Sequence, residues 1–129
     1  MSSELVNVGD GRWFFSGDWT QPSDLVLDSQ PSQEYCLSTS QGSKASISFT
    51  GSAVAVTGIR NTTTGHYNVT IDGVTSTFDG RSDWLEPSTL FLQAGLDEMS
   101  RHSLTVTNVD DASLAITGIN ITHVNGGTL

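Results

Sequence analysis

Between Lys44 and Gly80 the chain reads KASISFT, AVAVTGI, HYNVTI and VTSTF, four runs in which the character of the side chain changes at every step. Ala45, Ile47 and Phe49 alternate with Lys44, Ser46 and Ser48, and Tyr67, Val69 and Ile71 alternate with His66, Asn68 and Thr70. A repeat of two gives each run one face for a core and one for water, the signature of antiparallel β-strands. The same reading predicts two short strands, 5–8 and 12–16, around the turn Gly9-Asp10-Gly11, and further strands near 35–39, 44–50, 53–59, 66–72, 74–79, 89–94, 102–109 and 113–123, most bounded by Gly, Asp, Asn or Ser. A polar stretch to Glu34, holding Pro22 and Pro31, is expected to be the longest irregular segment. The pattern leaves room for helix only as a short turn at Pro22 to Leu27 or at Leu96 to Ser100. In the last strand Leu114 and Ile116 keep one phase while Ile119 and Ile121 keep the other, so a β-bulge at Gly118 is expected to restore a single inward face. About ten strands in a single domain over 1–129 call for an all-β antiparallel β-sandwich of jelly-roll type, in which two sheets bury each other's apolar faces.

Composition narrows the partners. With a hydrophobic content of 36% the chain can fill one core, and a formal net charge of -9 opposes binding to nucleic acid or an anionic membrane surface. No run reaches the roughly 18 apolar residues of a membrane span. The start MSSELVNVGDG has neither the basic opening nor the apolar centre of a leader, so a cytoplasmic location is expected. Secretion is the alternative, and the sequons at Asn61, Asn68 and Asn120 are weak evidence for it. Cys36, the single cysteine, excludes an intrachain disulfide and reads as a small buried hydrophobe within YCLST.

Five segments, GRWFFSGDW (Gly11 to Trp19), KASISFTGSAVAVTG (Lys44 to Gly58), GHYNVTIDG (Gly65 to Gly73), TLFLQAGLDEMSRHSLTVTN (Thr89 to Asn108) and LAITGINIT (Leu114 to Thr122), follow one another in an order that resembles a galactose-binding-domain-like jelly roll, in the version found in mushroom-forming fungi. The resemblance covers most of the chain and rests mainly on fold marks. It implies a lectin or a carbohydrate-binding module, and, with no catalytic domain or membrane anchor in this sequence, a lectin is the expected form.

If the strands from Lys44 onward run alternately up and down, the loops 60–65, 79–88 and 109–112 share one end, and the turns at 51–52, 72–73 and 95–101 share the other. The first end then collects Arg60, Asn61, His66, Asp79, Arg81, Asp83, Trp84, Asp110 and Asp111. Planar groups that donate and accept in pairs hold sugar hydroxyls, and an aromatic ring takes the apolar face of the pyranose. Arg81 is the expected donor, Asp83 and Asp79 the acceptors and Trp84 the stacking ring, with Asn61 and Arg60 completing the pocket. The competing reading makes Arg81 and Asp83 an exposed ion pair and Trp84 a plug at the end of the core. Trp19 is expected to pack, and either Trp13 with Phe15 or Phe14 alone faces inward. His102 is expected to close a turn.

No G-x-S-x-G elbow, P-loop, H-E-x-x-H or G-x-G-x-x-G occurs, so the expected protein is not an enzyme and needs no cofactor. Acidic jelly rolls of the resembled class often hold structural calcium, for which Asp110, Asp111 and Asp10 are the nearest candidates, a merely solvated acidic turn being the alternative. The expected ligands are glycans bearing galactosyl or amino-sugar residues, with homo-oligomer formation as the route to avidity. An interaction domain for a protein or cell-wall polymer, and a glycoside-active enzyme or its accessory module, are the alternatives.

Overall fold

A computed structural model of the chain describes residues 2–20, 23–25, 33–84 and 86–123. Among the described residues eleven strands run in chain order: β1 (Ser2–Asn7), β2 (Phe14–Ser16), β3 (Ser23–Leu25), β4 (Gln33–Ser38), β5 (Lys44–Thr50), β6 (Ala53–Arg60), β7 (His66–Ile71), β8 (Val74–Asp79), β9 (Glu86–Gln93), β10 (Arg101–Asn108) and β11 (Leu114–His123). They form two sheets, one ordered β3-β4-β11-β6-β9 with β1 also on β11, the other ordered β2-β5-β10-β7-β8. All ladders between these strands are antiparallel. The fold is therefore the expected β-sandwich, a jelly roll.

Alternation places the core between the sheets. Ala45, Ile47 and Phe49 of β5 and Leu104 and Val106 of β10 meet Val54, Val56, Ile116, Ile119 and Ile121 of the facing sheet, all of them buried. Trp13 is buried and Phe15 packs beside it and beside Trp19, while Phe14 is 69% exposed, which settles the phase of the first aromatic run. Cys36 is buried in the core, as expected of a small apolar side chain.

β11 is the pivot of its sheet. Its first half, Leu114 to Ile116, pairs with β4, and its second half, Gly118 to His123, pairs with β1. The register against β6 slips between Ile116 and Gly118, so Leu114, Ile116, Ile119 and Ile121 all reach the core despite their change of phase. The bulge expected at Gly118 is present, and glycine is needed there for space: a Cβ would lie 2.4 Å from the Val6 carbonyl oxygen.

Several expectations change: β1 and β9 begin at Ser2 and Glu86, which shortens the expected loop 79–88, and the stretch to Glu34 expected to be irregular holds β3 and the start of β4. Ser23–Leu25 is a strand on β4, so the segment Pro22 to Leu27 is not a helical turn where it is described; Pro22, Pro31 and residues 26–32 lie outside the described residues. Near Leu96 to Ser100 there is one tight turn, in which the Asp97 carboxylate accepts from the Met99 N–H at 3.1 Å and the Ser100 hydroxyl at 2.7 Å.

Candidate functional site

β6, β8 and β10 all finish at one end of the sandwich, and the loops that follow them are joined there. Asn61 and Thr64, on the loop after β6, form parallel bridges to Arg81 and Ser113 respectively. The Ser82 N–H donates to the Asn61 carbonyl at 3.0 Å, Gly80 N–H to the Gly65 carbonyl at 3.0 Å, and Ser113 N–H to the Thr63 carbonyl at 3.0 Å. The three loops thus share one end, as strand parity predicts, and the loop 60–65 is the middle one. Gly80 makes the approach possible, since a Cβ there would fall 2.5 Å from the Thr64 methyl. At the opposite end Leu96 N–H donates to the Ser52 carbonyl at 2.9 Å, and the His102 ring joins Asp72 at 2.6 Å to the Asp97 carbonyl at 2.8 Å. His102 closes turns, as expected.

The residues expected to hold a ligand divide into braces and exposed groups. Arg60 is a brace: its guanidinium donates to the backbone carbonyls of Gly80 at 3.3 Å, Asp79 at 3.4 Å and Arg81 at 3.1 Å. Asp79 is another, with one carboxylate oxygen accepting from the Arg81 N–H at 3.0 Å. His66 lies opposite Asp79 in the β7–β8 ladder and is tied to Asp110, which accepts from the His66 N–H at 2.8 Å and pairs with ring Nδ1 at 2.8 Å. Those two bonds hold the Asp110 carboxyl below its ordinary value, and the Asp110 hydrogen bond raises the His66 imidazole above its own.

The side chains of Arg81, Asp83 and Trp84 are exposed along this braced loop. Arg81 and Asp83 are exposed and form no ion pair with each other, so the surface-pair reading does not hold among the described residues. Trp84 is 66% exposed and does not plug the core. An indole, a guanidinium and a carboxylate therefore face solvent on a loop whose backbone Arg60 holds in place.

The three aspartates considered for calcium are separated into different partnerships. Asp10 binds Arg12, Asp110 binds His66, and Asp111 accepts from the Gln41 N–H at 2.9 Å. Among the described residues no group of three or more His, Cys, Asp or Glu side chains stands at metal-holding distances.

A concave feature of this end lies on the other flank of loop 60–65. A cleft of 140 Å³ opens on the outer face of the sheet, over β4, β11 and β6. Its floor is a row set by register, Leu37 and Ile59 on either side of Ala115. Tyr35 walls it, and Asn61, Thr63, Thr64 and Ser113 form a polar rim. Of the residues expected from the sequence only Asn61 reaches it. The signal was present as a break in alternation: Ile59 and Ala115 occupy outward positions, where a sandwich carries polar residues, yet both are buried outside the core.

Fold and end together define a class, the antiparallel all-β jelly-roll sandwich. Among solved structures the chain is similar to a family two carbohydrate esterase from Cellvibrio japonicus, with a TM-score of 0.64 and 12% identity over 95% of this chain and 34% of that one. It is also similar to the CBM36-1 domain of a multidomain xylanase from the hindgut metagenome of Trinervitermes trinervoides, with a TM-score of 0.58 and 10% identity over 95% of this chain and 98% of that one. The Agl-KA catalytic domain matches with a TM-score of 0.52 and 12% identity over 93% of this chain and 28% of that one. The chain thus spans about a third of the esterase and nearly all of the CBM36-1 domain. At these identities the likeness shows the fold. Neither a protein-family profile nor the sequence of a curated protein matches the chain.

Proposed function

We propose that the chain is a lectin, a non-catalytic glycan-binding jelly roll that recognises galactosyl or amino-sugar residues through the loops at one end. The observation that carries this reading is Trp84, two-thirds exposed beside Arg81 and Asp83 on a braced loop. An indole face takes the C–H face of a pyranose, a guanidinium donates to adjacent hydroxyls, and a carboxylate accepts from them. A rigid scaffold presenting these groups on a loop is a common arrangement for recognition. The similarity to the CBM36-1 domain of a xylanase supports the same reading at the level of fold. In this reading the protein needs no cofactor, acts in the cytoplasm and gains avidity by self-association, because one shallow sugar site binds weakly and linked sites multiply the effective affinity.

A glycan array probed with the purified chain, in calcium and in chelator, tests the proposal. Binding to a coherent set of glycans is expected in both conditions, and silence in both would overturn it. Trp84→Ala and Arg81→Ala should each weaken binding by roughly tenfold or more, the effect of about 1.5 to 3 kcal/mol lost with a charged hydrogen bond or an aromatic contact. Unchanged affinity in both variants, with the melting temperature preserved, would remove this loop from the site.

A further inference from the structure

We infer that the outer-face cleft over β4, β11 and β6 is the specificity pocket for an acetamido group, so that the preferred glycans carry N-acetylated sugars. The inference rests on the glycan-binding reading and goes beyond it in assigning a second subsite and a ligand class.

Size sets the first limit. At 140 Å³ the cleft is close to the 150 Å³ cavity that accepts benzene. It has room for a small substituent and the edge of the ring that carries it, not for a disaccharide. Chemistry sets the second. The floor, Leu37, Ala115 and Ile59, is apolar, and a cleft of this size admits the edge of a hexose rather than its C–H face, so an unsubstituted sugar brings mainly hydroxyls to desolvate at a cost. The methyl of an acetamido group is the apolar piece that fits. No charged side chain is among the described residues that line the cleft, which disfavours a free amine, a phosphate or a uronic acid.

The rim supplies what the rest of the acetamido group needs. Asn61 accepts through its side-chain oxygen from the Thr62 N–H at 2.7 Å, while its NH2 donates to no described residue. That amide group can donate to the acetyl carbonyl. The Thr63 and Ser113 hydroxyls share one hydrogen bond at 2.8 Å, so one of the two donates to the other and the acceptor keeps its own hydrogen for a further partner. Each hydroxyl also keeps lone pairs that can accept from the acetamido N–H. Asn61 is also bridged to Arg81, so the rim of the cleft is tied through its backbone to the loop that bears Trp84.

Titration by nuclear magnetic resonance with N-acetylglucosamine, N-acetylgalactosamine, glucose, galactose, glucosamine and an N-acetylated amino-acid amide tests the assignment. The acetylated sugars are expected to bind at least tenfold more tightly than their parents and to perturb Asn61, Thr63 and Ala115. Ala115→Leu fills the floor without removing a rim group, and should bring the acetylated sugars down to the level of the parents. Thr63→Val, on an exposed loop position, should reduce the preference severalfold and serves if the first variant does not fold. Parents and acetylated sugars binding alike, or a preference that survives both variants, would overturn the inference and leave the glycan-binding reading standing. The amino-acid amide binding as well as the sugars would assign the cleft to acylated peptides and overturn it too. Failure of every glycan here and on the array would remove both.

Discussion

Tyr67 links the two sheets through a single hydroxyl. Its ring is buried in β7, stacked near Phe78, and its O–H donates across the core to the Leu90 carbonyl at 2.5 Å. Leu90 is the extra residue where the β6–β9 register slips, between Thr89 and Phe91, so its backbone is the part of the ladder most in need of a partner. Tyr67→Phe should therefore destabilise the chain by about 1 kcal/mol while leaving the ring contacts in place. Urea denaturation measures this, and an unchanged midpoint would show that the Leu90 carbonyl is satisfied otherwise. Single residues also mark where the sequence could be read and where it could not. The buried phase of Trp13 and Phe15 follows from alternation alone once one of the two options is seen to close the core. Arg60 and Arg81 are indistinguishable in sequence, both arginines at a loop boundary, yet one is consumed by three carbonyls and the other faces solvent. That division depends on where neighbouring loops bring their backbone oxygens, which no local pattern encodes.

β11 shows that a strand can announce its own irregularity. The shift from Leu114 and Ile116 to Ile119 and Ile121 is incompatible with a regular strand that keeps one face buried, and a glycine at the shift is the residue that a bulge there tolerates. The structure adds the reason for glycine in particular. β1 begins its pairing at this point, with Asn7 opposite Gly118, and its backbone approaches too closely for any side chain. Gly118→Ala is expected to cost on the order of 1 to 3 kcal/mol, as overpacking does, because the obstacle is the Val6 carbonyl and backbone cannot rotate away. Amide exchange should show the protection of β1 falling before that of β5 and β10. Equal loss throughout would mean that β1 is not a separable unit. The elements that escaped the sequence reading did so for a related reason. β3 is three residues long, too short for a repeat of two to be detected, and the floor Leu37, Ala115 and Ile59 is assembled from three strands far apart in the chain. A row across a sheet has no period along the sequence.

The charge balance of the sandwich gives its stability a direction in pH. All three histidines sit against carboxylates: His66 with Asp110, His102 with Asp72, and His123 with Glu98 and Glu4. Burial alone would lower the His102 imidazole, but its hydrogen bonds to Asp72 and the Asp97 carbonyl outweigh this and raise it above 6.5. His66 is raised by Asp110, and His123 by Glu98 and then Glu4. A group whose folded value lies above its unfolded one contributes stability in full below the unfolded value, and that contribution is lost as pH rises through the folded value. The three pairs are therefore complete below about pH 6.5 and dissolve above it, when each imidazole loses its proton in an already acidic chain of net charge -9. On the acid side Asp72, lowered by the Ser103 N–H and then His102, and Asp110, lowered by His66, keep their charge until pH falls below 3.8, so that limb lies well away. The melting temperature at constant ionic strength is expected to be highest between about pH 4.5 and 6.5 and to decline toward pH 9. His102→Gln should flatten the decline more than His66→Gln, since His102 is buried with both ring nitrogens bonded while His66 stands in solvent, where its pair is weak. A melting temperature that rises from pH 6 to pH 9 would show that relief of other charge interactions, not these pairs, governs the profile.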